Sequence, residues 1–276
     1  MQPHLGDEVV VNFYINGASI TANGMINWKE ACEVLTGTRN YIPSEPEYVE
    51  PGILPANERR RSVKTVKLAI QVAQEAIINS KAKMEDLQTV FASSMGDGFV
   101  MDGLFKALCV PKKVVLPISF HNSVHNAPVG YWLIGSKCMK ASTSIACKET
   151  TFGSALMEST SQLSVETEEI LLVVYDFKAP EPLHYAMPIE GAFATAMVLS
   201  RKRREGSIAF VELTTAPNYE NQPSAMDNID LEAIRIGNPA ARSLPMLFSL
   251  ANGIDNEIMI EYTKDTLLCL NIKPCL

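Results

Sequence analysis

Only a few residues of the sequence could support nucleophilic or metal chemistry. Its four histidines are His4, His121, His125 and His184. One of its six cysteines, Cys147, stands where a strand-like segment meets a helix-like one, and the start of a helix can lower the pKa of a thiol. A cysteine-dependent acyltransferase or thioesterase, with His121 or His125 as the base for Cys147, is therefore one hypothesis.

Metal and nucleotide chemistry find little support. His121 and His125 are four residues apart and would share one face of a helix, but a zinc-protease motif needs a glutamate where Asn122 stands. The cysteines form no C-x-x-C pair and have no histidine at metal-ligand spacing. Residues 96–98, Gly-Asp-Gly, lack both the G-x-G-x-x-G frame and a Walker lysine. We expect a tight turn there, no metal and no cofactor.

The composition is that of an ordinary globular domain, with 47% hydrophobic and 20% charged residues. Its apolar runs, such as residues 170–175, fall short of the roughly 20 residues that cross a bilayer. The first residues contain no basic and apolar leader, which predicts a cytoplasmic protein. The net charge of −7 argues against nucleic acid as the main partner. The basic runs at 59–61 and 201–204 fit a helix end and a turn, or docking sites for an acidic carrier protein.

Hydrophobic patterning predicts strands that alternate with helices. Asn16-Gly17 predicts a tight hairpin within residues 9–21. Further strands are predicted at 89–92, 142–147, 170–175, 194–199, 207–213, 257–263 and 266–272. Helices are predicted at 28–35, 57–80, 99–108, 150–163 and 239–252, with loops at 44–55 and 214–230. Continuous apolar strands between amphipathic helices indicate an α/β sheet that is covered on both faces.

Several runs together resemble one protein family. The runs NAPVGYW at 126–132, ASTSIA at 141–146 and LME at 156–158 resemble the segment of β-ketoacyl synthases that leads from N-x-x-x-G through P-S-x-S to the nucleophile elbow and its helix. The run IEGAFATAMVL at 189–199 is similar to the strand that ends their N-terminal lobe. SVHNAP at 123–128 and the YD to PEPLH signature at 175–184 are similar to short chain-length-factor-like proteins of aryl polyene and related fatty-acid-type pathways.

This resemblance covers about residues 8–215 and implies a thiolase-like α/β fold. Residues 1–215 would form the N-terminal lobe, a mixed sheet covered by helices. Residues 216–276 would form a truncated C-terminal lobe made of a linker, one helix and a pair of strands.

The sequence departs from the family at the catalytic positions. A count without gaps from Asn126 places Glu149 where ketosynthases have their nucleophilic cysteine, and Cys147 then lies two residues early, on the strand. A carboxylate cannot form the thioester that a thiolate forms. No His-Gly-Thr-Gly-Thr or Gly-His motif follows Pro188, and no histidine follows His184. The resemblance therefore implies a chain that is catalytically incomplete on its own.

The leading hypothesis is a non-catalytic chain-length-factor subunit that pairs with a catalytic ketosynthase, meets acyl carrier protein transiently and limits chain elongation. A self-standing acyl-binding homodimer is a further alternative. By resemblance, the strand that pairs across the dimer axis is Ser142, Thr143, Ser144, Ile145, Ala146 and Cys147. The side chains expected at the interface and tunnel end are Ser119, Phe120, His121, Val124, His125 and Asn126.

Overall fold

The protein is described by a computed structural model over residues 10–275, which leaves His4 and Val9 outside the described residues. Within that range the strands are β1 (Val11–Ala22), β2 (Gln88–Ala92), β3 (Ser142–Ile145), β4 (Glu169–Phe177), β5 (Ala192–Ser200), β6 (Ala209–Pro217), β7 (Asn256–Glu261) and β8 (Thr266–Pro274). The helices are α1 (Trp28–Leu35), α2 (Ala56–Arg61), α3 (Lys64–Ser80), α4 (Gly98–Cys109), α5 (Pro117–Ser123), α6 (Ala127–Ser136), α7 (Thr151–Gln162), α8 (Leu183–Ala186), α9 (Ile229–Gly237) and α10 (Leu244–Asn252). Short 3₁₀ turns precede α7 (Lys148–Thr150) and α10 (Pro239–Ser243).

The eight strands form one mixed sheet in the order β3-β2-β4-β5-β1-β6-β8-β7. The first three strands of that order are parallel, and every other neighbouring pair is antiparallel. The carboxyl ends of β2, β3 and β4 therefore meet at one edge of the sheet, where ligand sites of α/β proteins commonly lie. The junction between β3 and α7, which carries Cys147 and Glu149, lies at this edge.

Apolar side chains cover both faces of the sheet, as β4 illustrates. Leu171, Val173 and Tyr175 pack into a core with α3 and α6, whereas the alternate side chains Leu172 and Val174 pack into a second core with α7, α10 and the C-terminal strands. A strand that is buried on both faces has no polar alternation, which is why its sequence is continuously apolar. None of the helices within the described range is long and apolar enough to cross a membrane.

The predicted hairpin at Asn16-Gly17 is wrong. Both residues lie inside β1, which is one strand with a bulge between Ile15 and Gly17. Gly17 serves close packing instead of a turn, because a Cβ there would lie 2.4 Å from the carbonyl oxygen of Ala76 on α3. The Asn16 amide is buried and donates hydrogen bonds to Glu169 and Ser200.

Two predicted helices also differ from the structure. The helix predicted at 57–80 is two helices, because Ser62 has an extended backbone with ψ 136° and its hydroxyl donates back to the Arg59 carbonyl at 2.7 Å. Such side-chain bonds compete with helix continuation. The region predicted as loop up to residue 230 ends in α9, which the sequence analysis missed, and the helix predicted at 239–252 begins as a 3₁₀ turn.

The C-terminal residues extend the same sheet. β6 runs from Ala209 to Pro217, across the predicted lobe boundary, and β8 pairs along its whole length. The division of the chain at residue 215 stays a prediction. At the far end of the sheet, the outer edge of β7 is covered, because Ser224 donates its N–H to the Met259 carbonyl and accepts from the Met259 N–H through its hydroxyl, both at 2.9 Å.

Candidate functional site

The turn between β3 and α7 is the structural counterpart of a nucleophile elbow. β3 ends at Ile145, so Cys147 lies beyond the strand, and the expectation that Ala146 and Cys147 belong to it is wrong. Thr151 fixes the turn, because its Oγ1 accepts from the Cys147 N–H at 3.1 Å and donates to the Lys148 carbonyl at 2.6 Å. Local threonine hydrogen bonds of this kind favour a turn over continued strand.

The strained residue of this turn is Lys148, whose φ is +51°. A nucleophile elbow holds its nucleophile on a sharp, strained strand-to-helix turn. The left-handed residue therefore stands one position before Glu149, the residue that the gap-free count selected. Neither side chain is a thiol, and Cys147, Lys148 and Glu149 are all exposed.

The elbow lines a cavity of about 180 Å³. Its walls come from the end of β2, from the segment after α8 and from the junction of α9 with the following 3₁₀ turn; the lining residues are Ser94, Lys148, Glu149, Ala186, Met187, Pro188, Ile189, Ile236, Gly237, Pro239 and Arg242. Burial lowers the pKa of Arg242, and the negative charges of Glu261 and Glu149 oppose that shift. An arginine of the C-terminal residues therefore stands near Glu149.

The C-terminal strands also hold the elbow helix in place. A Cβ at Gly153, in the first turn of α7, would lie 2.2 Å from the carbonyl oxygen of Glu261. The Glu261 carboxylate pairs with Arg235 at 3.0 Å and with Arg242 at 3.1 Å. These contacts position α7 against β7, and the sequence analysis had assigned no role to any of these residues.

The two histidines proposed as bases have other contacts. Nε2 of His125 donates to the Ser93 carbonyl at 2.7 Å, because a carbonyl can only accept. The His121 ring packs edge-on against Tyr131, with 5.6 Å between the ring centroids. Within residues 10–275, no hydrogen bond joins the Cys147 thiol to either imidazole, so the structure does not assemble the Cys-His pair of the alternative hypothesis.

A buried carboxylate lies under the carboxyl ends of β2 and β4. Oδ1 of Asp176 accepts hydrogen bonds from the Ser93 hydroxyl at 2.9 Å and from the Ser94 N–H and hydroxyl at 2.8 Å each. The Ser93 N–H donates to the Ile145 carbonyl at 3.1 Å. Asp176 thus ties the end of β2 to β3 and, through the Ser93 carbonyl, to His125. The signal in the sequence was a single acidic residue that ends an apolar strand.

The six residues predicted at the interface and tunnel end are all exposed or partly buried. α5 carries part of this set and presents Phe120 with 65% of its surface exposed. Asn122, which had been given no role, is buried and anchors α5, because it donates to the Arg61 carbonyl and accepts from the Tyr131 hydroxyl. His121, Val124 and Asn126 are exposed, whereas Ser119 and His125 are partly buried.

β3 forms the free end of the sheet. Its residues Ser142, Thr143, Ser144 and Ile145 pair with β2 on one side only, and no strand within residues 10–275 lies on the other.

α4 and α5 pack on each other and carry large apolar side chains that are exposed: Phe99, Phe105, Leu108, Phe120 and, in the connection between them, Val110, Val114 and Leu116.

A model of β-ketoacyl synthase N-terminal domains matches residues 29–235. Among solved structures, a chain from the ketosynthase ApeO in complex with its chain length factor ApeC, from Xenorhabdus doucetiae, superimposes with a TM-score of 0.70 at 17% identity, over 95% of this chain and 99% of that one. A chain from AntDE:AntF, a type II polyketide synthase acyl-carrier protein in complex with its ketosynthase, gives 0.73 at 11% identity, over 97% and 100%.

A β-ketoacyl synthase from Burkholderia phymatum gives a TM-score of 0.56 at 12% identity, and this chain covers only 71% of it. No curated protein sequence matches the chain. The comparisons confirm the thiolase-like α/β fold and its truncation relative to a full ketosynthase.

Proposed function

Because the chain belongs to the family of β-ketoacyl synthase N-terminal domains, we propose that it is a non-catalytic chain-length-factor subunit of a ketosynthase heterodimer. In this role it closes the acyl tunnel of a catalytic β-ketoacyl-ACP synthase and limits elongation of an acyl or polyene chain. Acyl carrier protein is a transient partner of the complex. The open edge of β3, together with the exposed apolar side chains of α4 and α5, is the observation that carries the proposal.

The backbone of β3 is suited to pairing with a strand of another subunit. The Thr89 and Ser93 N–H groups donate to the carbonyls of Ala141 and Ile145. Because backbone groups alternate in direction along a strand, Ser142 and Ser144 direct their N–H and C=O groups away from β2. Such a row of free groups is a template for a further strand, and isolated proteins rarely leave one uncovered.

The apolar side chains of α4 and α5 support the same assembly. Phe105 is 47% exposed, Leu116 61% and Phe120 65%. Exposed apolar side chains of this size are common at protein interaction sites, because burial of apolar surface is favourable by roughly 25 cal/mol per Å². A partner that pairs with β3 and also covers these helices would bury both features at once.

The chemistry at the elbow favours a non-catalytic role. Condensation needs a thiolate at the elbow, and the turn at 148–150 offers Lys148, Glu149 and Thr150. Cys147 precedes the strained residue and forms no hydrogen bond with an imidazole within residues 10–275. The absence of any histidine after His184 also removes the donors that the family resemblance requires for decarboxylation.

The similar solved structures support a ketosynthase as the partner of this chain. One solved structure of the same fold comes from a complex of a ketosynthase with its chain length factor, and a second comes from a ketosynthase with its acyl-carrier protein. In the first, this chain matches 99% of a chain of similar extent. These observations support a heterodimer with a ketosynthase. A cytoplasmic location stays a prediction.

Co-expression with the cognate ketosynthase tests the proposal. With a tag on this chain, we expect a one-to-one complex by light scattering, and we expect the length distribution of products to change when this chain is withheld. A stable monomer in the presence of the ketosynthase would contradict the proposal. A homodimer that binds acyl chains and ignores the ketosynthase would favour the self-standing acyl-binding alternative.

A further inference from the structure

A cavity of about 450 Å³ opens at the start of α3, on the opposite face of the sheet from the elbow. We call it the α3 cavity; its lining residues are Ser62, Val63, Lys64, Thr65, Lys67, Asp97, Phe99, Val100 and Phe177. Val63 and Phe177 pack against the core on the α3 side, whereas the elbow helix α7 packs into the other core. The α3 cavity is therefore separate from the elbow.

Aromatic side chains form one wall of this cavity. The rings of Phe99 and Phe177 meet edge to face, with 6.1 Å between their centroids, and Tyr48 lies 5.8 Å from Phe177 on the far side. Phe99 is 54% exposed and borders the cavity, so an apolar ligand there would cover its ring. Binding pockets for small molecules have this size and this apolar lining with a few polar groups.

The charged groups of the cavity leave one cation without a counterion. Lys67 pairs with Glu50, but Lys64 forms no ion pair within the described part of the chain and only approaches the Tyr48 ring, at 5.4 Å. Asp97 is already engaged through both oxygens, because Oδ1 accepts from the Val100 N–H at 2.9 Å and Oδ2 from the Thr65 hydroxyl at 2.5 Å. The polar group that is free to meet a ligand is thus the Lys64 ammonium.

The neighbouring cavity, on the other side of Phe99 and Phe177, shares Lys64 with the α3 cavity but is more acidic. Its lining also carries Lys178 and the carboxylates of Glu45, Glu181 and Glu190, and within the described residues only Glu190 of these three is paired, with Lys178 and His184. An anion would be repelled there. This difference in charge between the two cavities favours the α3 cavity for the charged end of an anionic ligand, whose apolar body would lie against Phe99 and Phe177.

We propose that the α3 cavity binds a small aromatic carboxylate, with the ring against Phe99 and Phe177 and the carboxylate beside Lys64. The ligand ring would pack edge-on or face-on against the phenylalanine rings, and its carboxylate would accept a charge-assisted hydrogen bond from the Lys64 ammonium. Phe99 lies on α4, which the proposed heterodimer would also cover, so the binding test uses this chain without its partner.

Calorimetric titration of the full chain with 2-naphthoate tests it, with 2-naphthalenemethanol as the neutral ligand of the same shape. We expect the carboxylate to bind and the alcohol to bind at least fivefold more weakly. Lys64→Ala should weaken naphthoate binding about tenfold and abolish the preference for the charged ligand. Lys178→Ala removes a cation of the neighbouring cavity that is already paired, so it should leave both affinities unchanged.

A second pair of variants locates the aromatic body of the ligand. Phe99→Ser should weaken both ligands alike, whereas Phe105→Ser, which alters an exposed phenylalanine on the same helix outside the cavity, should not. Absence of naphthoate binding would overturn the proposal. Equal binding of the two ligands, or a preference for the carboxylate that survives Lys64→Ala, would overturn it as well, and circular dichroism of each variant excludes unfolding as the cause.

Discussion

Oδ1 of Asp176 accepts both the backbone N–H and the hydroxyl of Ser94, each at 2.8 Å, while Oδ2 of the same carboxylate is buried and has no hydrogen-bond partner among residues 10–275. Burial raises the pKa of Asp176 to about 6, although the hydrogen bonds from Ser94 and Ser93 oppose the shift. Isolated carboxyl groups in a protein interior favour the protonated form for this reason.

This raised pKa predicts an unusual pH dependence of stability. Between pH 4 and 6 the folded chain holds a proton on Asp176 that the unfolded chain has lost, so this group makes stability fall as pH rises through that window. The rise from 3.8 to about 6 corresponds to ~3 kcal/mol. Asp176→Asn keeps the acceptor oxygen and removes the charge. In urea unfolding, the variant should gain stability relative to the wild type as pH rises from 4.5 to 7.

The exposed Asp86 provides the control for this prediction. Asp86→Asn should leave the pH dependence of unfolding close to that of the wild type. If Asp176→Asn also follows the wild-type pH dependence, the Asp176 carboxyl does not hold its proton in this window.

Ser144→Pro tests whether β3 pairs with a strand of the ketosynthase. The Ser144 N–H points away from β2, so proline removes a hydrogen-bond donor at the open edge and leaves the β2 ladder intact. We expect the variant to fold, with an unfolding midpoint within a few degrees of the wild type, and to lose the heterodimer in size-exclusion chromatography. Ser144→Ala should retain it, and a Ser144→Pro chain that assembles normally would rule out pairing through this strand.

Phe120 is the residue that we expect to limit chain length. Its side chain is largely exposed in the single chain, and a phenyl ring fills a volume that several methylenes could otherwise occupy. Phe120→Ala should shift products of the heterodimer to longer chains, and a bulkier residue at Ser119 or Val124 should shorten them, as mass spectrometry would show. A stable Phe120→Ala heterodimer with unchanged product length would show that Phe120 does not limit chain length. A weakened heterodimer with unchanged product length would show that Phe120 only packs in the interface between the subunits.

Glu149→Gln tests whether the elbow carboxylate takes part in chemistry. Glu149 is exposed and lines the elbow cavity. We expect Glu149→Gln to leave the rate of product formation within about twofold, because in the proposed heterodimer the thioester forms on the partner. Loss of product from an intact heterodimer would assign a chemical role to Glu149, and the partner's own active-site cysteine serves as the positive control.

Cys147 gives the test of the acyltransferase alternative. Its exposure predicts that iodoacetamide labels the thiol, but without an imidazole contact the labelling rate should match that of the exposed Cys109. Cys147→Ser should leave product formation unchanged. Labelling that is tenfold faster than at Cys109, or transfer of an acyl group from a carrier to Cys147, would favour the alternative.

The sequence predicted well what depends on local pattern. The apolar runs predicted the strands of the sheet core, and 28–35 matches α1 residue for residue. It failed where a distant contact decides the local structure. Gly17 serves the approach of α3 instead of a turn, and Arg235 of α9 pairs with the distant Glu261. The prediction of site residues missed Asp176 and Arg242 for the same reason, since these residues are recognised only when the strand ends meet in space.

The two ends of the sheet differ in a way that limits how many subunits can join. At one end β3 is open, while at the other Ser224 already occupies both backbone groups of Met259. A sheet that is open at both ends can add copies without limit and grow into a fibre. A sheet that is open at one end can add a single neighbour, after which no free edge remains. Ser224 therefore blocks strand pairing at Met259, and Ser224→Pro, which removes the N–H of that contact, should favour higher oligomers over a closed pair.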